Sequence, residues 1–398
     1  MSGRTTQMFK IRPNTRVRAA IAILALAPVL TACNSEGVTG VSANPPTYPG
    51  PAGPTIPKKT CSDDPTTGQP CINGYPWSSV GAIDLPNAVT AMLVTPDDKT
   101  AYVGEGNLVQ QYAVLTDSLP AVRLQAVGSP IGIASNGRQF TLCNGQITAP
   151  YGTSGISMID PATQTSITLP TLTNNKISSL SCSPGNSILV ITDTNGAVLR
   201  YNYATKTTLP IIRDTTRMGV PAFAAQNPSG TAFIAANFSE RYQSGQIGVN
   251  SPMLISLTNS NTNGVYFPSS GAALPINGVT YGSWAATISE DKNLRVYDAV
   301  LPNGQFPEHC MMPLPGIPTT VTAADNSNLL AVGVPFSATG NKVIIYRANP
   351  GRQAGCDKIF EADNSVANSP IKALHFSASG AHLFVASGNR IIVLVANK

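Results

Sequence analysis

Acid–base and nucleophilic chemistry needs a histidine, a cysteine or paired carboxylates held close together, and this chain is poor in them. It has three histidines. His309 stands in Pro307-Glu308-His309-Cys310, where a Glu-His pair could move a proton. His375 and His382 flank the tight turn Ser377–Gly380, and a structural role is expected for both. No Gly-x-Ser-x-Gly, His-Glu-x-x-His or phosphate-binding glycine loop occurs. Met311-Met312 reads as packing rather than as a metal site. Cysteines stand at 33, 61, 71, 143, 182, 310 and 356, and none has the C-x-x-C spacing of a zinc or redox centre. These residues predict no catalytic residue, no metal and no cofactor.

The amino terminus carries chemistry of a different kind. Arg4, Lys10, Arg12, Arg16 and Arg18 form a positive stretch without an acid, and Ala19–Leu30 is apolar apart from Pro28. About a dozen apolar residues match a signal h-region and fall short of the roughly 20 a membrane-spanning helix needs. The next residues, Leu30-Thr31-Ala32-Cys33, resemble the bacterial lipobox, the cleavage site of lipoprotein signal peptidase. The resemblance implies that residues 1–32 are removed and that the Cys33 thiol receives a diacylglyceryl group, anchoring the protein in a lipid bilayer. Asn34 is not the aspartate that retains lipoproteins at the inner membrane in enteric-type sorting. A cell-envelope location follows, the outer membrane if the host has one. The precursor has 25 basic and 20 acidic residues. The five basic residues of the signal account for the whole excess, so no nucleic-acid partner is expected.

Residues 33–77 then hold nine prolines between Pro45 and Pro76, interleaved with Gly, Ser and Thr. Without hydrophobic periodicity no core can form, and proline at this density keeps a chain extended. The segment reads as a semi-rigid tether. Within it Cys61 and Cys71 close a short polar loop, better explained by a local disulfide than by calcium.

From residue 78 to 398 short β-branched or aromatic runs alternate with turn residues. Thr95–Asp98, Ser135–Gly137, Ser183–Gly185, Pro228–Gly230, Ile276–Gly278, Asp325–Ser327 and Ser377–Gly380 each precede such a run. They recur every 40 to 50 residues or so, room for four short strands. The stretch Thr-Pro-Asp-Asp-Lys-Thr-Ala-Tyr-Val at 95–103 resembles the blade signature of YVTN-type and related WD-repeat-like propellers. The resemblance implies an all-β, seven-bladed β-propeller, each turn joining an innermost strand to the second. The last blade supplies only three strands, and the segment 79–85 is expected beside Ile391–Val395 as its fourth, closing the ring.

A propeller fold does not fix function. Inner-strand positions facing a channel are small or hydroxylated: Thr90, Ser135, Ser178, Ser181, Thr320 and Thr322. His309 falls before an outer strand and reads as surface. Loop lengths say more. The second-to-third connections are expected at Asn144–Gly155 with Tyr151, at Phe238–Pro252 with Arg241 and Tyr242, and at Phe336–Asn341. The connection into the fourth blade adds Asp214, Arg217 and Met218 on the same face. Arg and Tyr on a rigid frame suit a recognition surface. Tyr151, Asp214, Arg217, Arg241, Tyr242 and Phe336 are thus candidate contacts for an envelope protein, a peptide or a polysaccharide. The alternative is a lactonase-like or dehydrogenase-like propeller enzyme with its site in the central funnel. In an oxidising compartment the cysteines invite pairing. Cys310 and Cys356, both at the start of an outer strand, are expected to bond if their loops bend. Cys143 and Cys182 are expected as two buried thiols, separated by about four residues of strand rise.

Overall fold

The strands of this chain divide by burial according to their place in a sheet. Ile188–Asp193 and Trp284–Ser289 are buried at every position, without the alternation of a half-exposed strand. Both faces of such a strand must therefore be covered by neighbouring sheets. Thr165–Thr168, by contrast, is almost wholly exposed and lies at an edge.

The computed structural model describes residues 77–396, apart from 133–139, 213–222, 237–251, 257–264, 267–274, 299–307, 349–354, 363–368 and shorter gaps. Cys33, Cys61, Cys71 and the tether lie outside the described residues, as does the unit 1–50 that separates from 51–398.

The chain opens with β1 (Trp77–Asp84). The first sheet is β2 (Val89–Val94), β3 (Thr100–Glu105), β4 (Leu108–Ser118) and β5 (Ala121–Gly132). The second is β6 (Thr141–Cys143), β7 (Gln146–Tyr151), β8 (Gly155–Asp160) and β9 (Thr165–Thr168). The third is β10 (Ile177–Ser181), β11 (Ile188–Asp193), β12 (Val198–Asn202) and β13 (Thr207–Ile212). The fourth is β14 (Ala224–Gln226), β15 (Ala232–Ala236), β16 (Pro252–Ser256) and β17 (Val265–Tyr266). The fifth is β18 (Pro275–Tyr281), β19 (Trp284–Ser289), β20 (Asn293–Asp298) and β21 (Glu308–Pro313). The sixth is β22 (Thr320–Ala324), β23 (Leu329–Ser337), β24 (Gly340–Ala348) and β25 (Cys356–Ala362). Six sheets are thus simple antiparallel meanders. The seventh combines the first strand of the chain with the last three, β26 (Ile371–Phe376), β27 (His382–Ser387) and β28 (Arg390–Ala396), in the order β1-β28-β27-β26. The result is an all-β propeller.

Local chemistry sets the hairpins. The third-to-fourth turns of the second and third sheets are near copies, Asp160-Pro-Ala-Thr-Gln-Thr165 and Asn202-Tyr-Ala-Thr-Lys-Thr207. Asp160 accepts from Ala162 N at 2.8 Å, and Asn202 from Ala204 N at 3.0 Å. In both, two threonine hydroxyls meet at 2.7 Å, and Gln164 and Lys206 take the left-handed backbone the turn requires.

Each sheet packs on the next. Val89, Met92 and Val94 of the first meet Phe384, Val393 and Val395 of the seventh. Tyr102 and Val109 meet Ile147 and Ile159 of the second. Met158 and Leu169 meet Leu180 and Tyr201 of the third. Ser179 of the third accepts from Ala224 N of the fourth at 3.1 Å. Phe223, beside the fourth, lies against Gly278 of the fifth. Val296 and Tyr281 meet Val321 and Ile344 of the sixth. Ala331 and Ile345 meet Leu374, Ile392 and Trp77 of the seventh. Trp77 is 1% exposed and stands edge-on to Phe376, centroids 6.1 Å apart.

Several expectations need correction. The closing strand runs from Trp77 to Asp84, two residues earlier than 79–85, with Ile83 opposite Ile391 and Ser78 opposite Val395. In the second sheet the inner turn is Asn144-Gly145, both in positive φ, and not Ser135–Gly137. In the fifth sheet Ile276–Gly278 is no turn. It lies inside β18, whose hairpin pairs Tyr281 with Trp284.

The shifted second sheet also overturns the thiol assignment. Cys143 now precedes its turn just as Cys182 precedes Ser183–Gly185, on neighbouring innermost strands. Their Cα atoms are 5.3 Å apart and their sulfurs are bonded. Thr141 Oγ1 ties the same two strands, accepting from Cys182 N at 2.9 Å and donating to Cys182 O at 3.1 Å. Cys310 and Cys356 are bonded as well, Cα atoms 6.0 Å apart, joining β21 to β25.

Candidate functional site

The innermost strands β2, β6, β10, β14, β18, β22 and β26 carry, as described, three side chains that can titrate: Tyr281, Lys372 and His375. They do not converge. Burial raises the Tyr281 phenol well above its ordinary range. Lys372 is exposed. His375 is partly buried where the seventh sheet meets the first, its Nε2 2.9 Å from Val94 O. Beside it Ala378 N donates to Asp98 Oδ1 at 2.8 Å. Burial lowers His382 too, partly offset by the Asp98 charge. Thr90, Ser178, Ser181, Thr320 and Thr322 all lie on innermost strands, and Ser178 meets Thr192 across its hairpin at 2.7 Å. Ser135 lies outside the described residues.

Sequence reasoning missed a set of buried polar residues at the carboxyl ends of second strands. Glu105, Asp193, Ser289 and Ser387 sit opposite Val89, Ile177, Pro275 and Ile371, the first residues of their innermost strands. All four are buried. In each pair the ladder slips at the next residue, so Thr90, Ser178, Ile276 and Lys372 occupy equivalent bulges. Their partners differ. Glu105 accepts from the Tyr112 hydroxyl, and burial together with that carboxylate raises the phenol. Asp193 accepts from Thr173 Oγ1 at 2.7 Å, Asn175 Nδ2 at 3.2 Å and Ala197 N at 3.0 Å. Ser387 donates to Ser369 O at 2.6 Å. Asp193 and Ser387 therefore tie the connection arriving from the previous sheet to a second-to-third hairpin, and they fix that end of the sheet. A signal was present in the sequence: a polar residue at the end of the run after four of the turns.

Buried polar groups on third strands serve the outer edge instead. Gln110 Nε2 donates to Val127 O at 3.2 Å, and Arg200 Nη2 to Pro210 O at 3.1 Å, each beside a bulge in the pairing with the outermost strand. Burial pushes the Arg200 guanidinium down. Arg295 is paired with Asp291 at the β19–β20 turn.

Of the candidate contact residues, Tyr151 ends β7, opposite Gly155. The stretch Asn144–Gly155 is therefore mostly strand rather than loop. Phe336 lies within β23, between Pro335 and Ser337, which pair with Asn341 and Gly340. Both residues stand at second-to-third hairpin ends. Asp214, Arg217, Arg241 and Tyr242 lie outside the described residues. His309 is the second residue of β21, packed edge-on against Trp284 with centroids 4.2 Å apart. Among the described residues no group of three or more His, Cys, Asp or Glu is placed to hold a metal ion.

No protein-family model matches the chain, and no curated protein matches it. Solved structures do. The WD40 repeats of RRP9 share 13% identity at a TM-score of 0.60, covering 81% of this chain and 97% of that one. The structure of U3-55K gives 13% and 0.60, covering 80% and 98%. A chain of the mitotic checkpoint complex gives 11% and 0.61, covering 80% and 94%. At these identities the likeness concerns the fold, which is a WD40-type β-propeller.

Proposed function

We propose that this chain is a lipid-anchored envelope lipoprotein whose propeller is a non-catalytic binding module for a protein partner. Its seven sheets are read as seven blades of one ring, latched by the first strand of the chain. The observation that carries the reading is the clamped frame. Asp193 and Ser387 hold second-to-third hairpins to the incoming connections, so the hairpin ends form a rigid platform. Propellers of this type include a chain of an assembly, the mitotic checkpoint complex. The Leu30–Cys33 motif supports the anchor, and the balanced charge of the remaining chain supports a partner other than nucleic acid.

Two measurements test the proposal. Cys33→Ala should move the protein into soluble fractions or leave it unprocessed, and unchanged membrane association and size would exclude the lipid anchor. Affinity capture of the full chain from its own envelope should retain a partner protein. Tyr151→Ala combined with Arg241→Ala should release it while the fold, followed by circular dichroism, stays intact. Capture that is indifferent to both substitutions would remove this face as the binding surface.

A further inference from the structure

We propose that the seam between the first and seventh sheets is an acid-sensitive joint, which loosens when His375 takes up a proton. The seam is where the two ends of the propeller chain meet. It is built from Met92 and Val94 on one side and Phe384, Val393 and Val395 on the other. Polar links that cross it at the turn end include His375 to Val94 O at 2.9 Å and Ala378 N to Asp98 Oδ1 at 2.8 Å.

The charged groups of the elements meeting there do little for an imidazolium. Asp97 is turned onto its own turn, accepting from Thr95 Oγ1 at 2.6 Å and Lys99 N at 3.1 Å. Asp98 is engaged by Ala378 N and attracts His382, at the head of β27, rather than His375. Lys99 and Lys372 are basic residues and supply no counter-charge. At the far end of the sheet Arg390 is paired with Asp84 at 2.7 Å. A proton on His375 thus creates a charge among apolar side chains, with a carbonyl as its polar partner. Water can reach that charge fully only if β26 and its turn lift from β2. Although part of the His375 surface touches solvent, desolvation by its packing holds the ring down to about 4. The direction of the linkage follows. In the closed seam His375 stays neutral down to that value, whereas an opened seam frees it to titrate near 6.5. Closure is therefore fully favoured above pH 6.5 and weakens as the pH falls from there toward 4.

Hydrogen–deuterium exchange of the full chain at pH 7 and pH 5, corrected for intrinsic exchange, tests the joint. Amides in 89–105 and 371–387 should open on the order of twentyfold more often at pH 5. Amides in 177–193, in the third sheet, should not change. His375→Gln keeps an N–H for Val94 O but no titratable group, and it should erase the difference. Uniform acceleration in all sheets, or an unchanged response in His375→Gln, would overturn the proposal. Should that variant fail to fold, the titration of the His375 ring in the wild-type chain decides. A midpoint near 6.5 in the closed state overturns the joint, and one well below supports it.

Discussion

Replacing Cys143 and Cys182 together by alanine removes a cross-link between two innermost strands, and its effect can be worked out in advance. The bond closes a loop with a sequence separation of 39. Loop-closure entropy for that length is worth about 4 kcal/mol at 25 °C. The outer bond, Cys310–Cys356, spans 46, and the same relation makes it larger by only ~0.1 kcal/mol. Loop length therefore ranks the two bonds as equal, and packing separates them. Cys143 has 0% exposure and lies against Met158, Leu180 and Tyr201, whereas Cys310 and Cys356 are only partly buried. Truncating a buried sulfur leaves unfilled volume, worth roughly 1 kcal/mol more. The inner double variant should thus lose about 5 kcal/mol and the outer one about 4 kcal/mol. At about 2 °C per kcal/mol for a domain of this size, the inner loss lowers the melting temperature by ~10 °C. The assay is thermal and urea unfolding of both double variants beside the wild type. Thiol titration of the denatured, unreduced chain should find neither Cys143 nor Cys182 free. A loss under about 1 kcal/mol, or two free thiols at these positions, would refute the alignment of β6 with β10.

Three other outcomes are expected. Trp77→Ala should cost about 3–4 kcal/mol, since a fully buried indole at the outer edge of the seventh sheet leaves a cavity that an edge strand can only partly collapse. Unfolding midpoints will show it, and deleting 34–76 should cost far less than deleting 34–86. Gly278→Ala should destabilise by about 1–3 kcal/mol, because a Cβ there would stand 2.6 Å from the Phe223 ring and 2.9 Å from Ala286 O. Phe223→Leu in the same chain should recover part of that loss, and strict additivity in the double-mutant cycle would show that the ring is not the obstacle. Asp291→Asn should cost about 2 kcal/mol at neutral pH by removing the carboxylate paired with Arg295. Because Arg295 holds the Asp291 carboxyl below its ordinary 3.8, the contribution is present above that value and lost as the pH falls below it. The wild-type and variant melting curves should therefore converge in strong acid.

The architecture was legible because it repeats. Turn residues followed by an apolar run recur, and five of those seven stretches lie between the first and second strands of a sheet. The two failures share a cause. Asn-Gly is a strong hairpin signal, yet Asn277-Gly278 lies mid-strand. There the glycine is kept for the Phe223 ring, which needs the space of a missing Cβ. In the second sheet Ser135–Gly137 competed with Asn144-Gly145, and choosing the former displaced Cys143 by one strand. That single slip produced the error about the thiols. The clamping residues were obscure for another reason. Glu105, Asp193, Ser289 and Ser387 share a position and a burial but not one residue type, and the partners of Asp193 and Ser387 come from connections that differ in sequence. Candidate contacts were chosen from loop length and residue type. Those two features place Tyr151 and Phe336 at hairpin ends without saying what they touch.

The latch has a consequence for the time course of folding. Asp84 and Arg390 pair across 306 residues, so β1 is made first among the strands and can find β28 only after every other strand has been made. Contacts of such long range close slowly. Until that moment the buried run Ile391–Val395 of β28 has an open edge, a template for pairing with any extended chain nearby. Six sheets can mature as local meanders while the seventh waits. The last event of folding is then the one that fixes Trp77. A chain rearranged to begin at β26 and run through β28 into β1 would keep every contact in the ring. It should still fold faster, and aggregate less on the way, because the slowest contact would have become a local one.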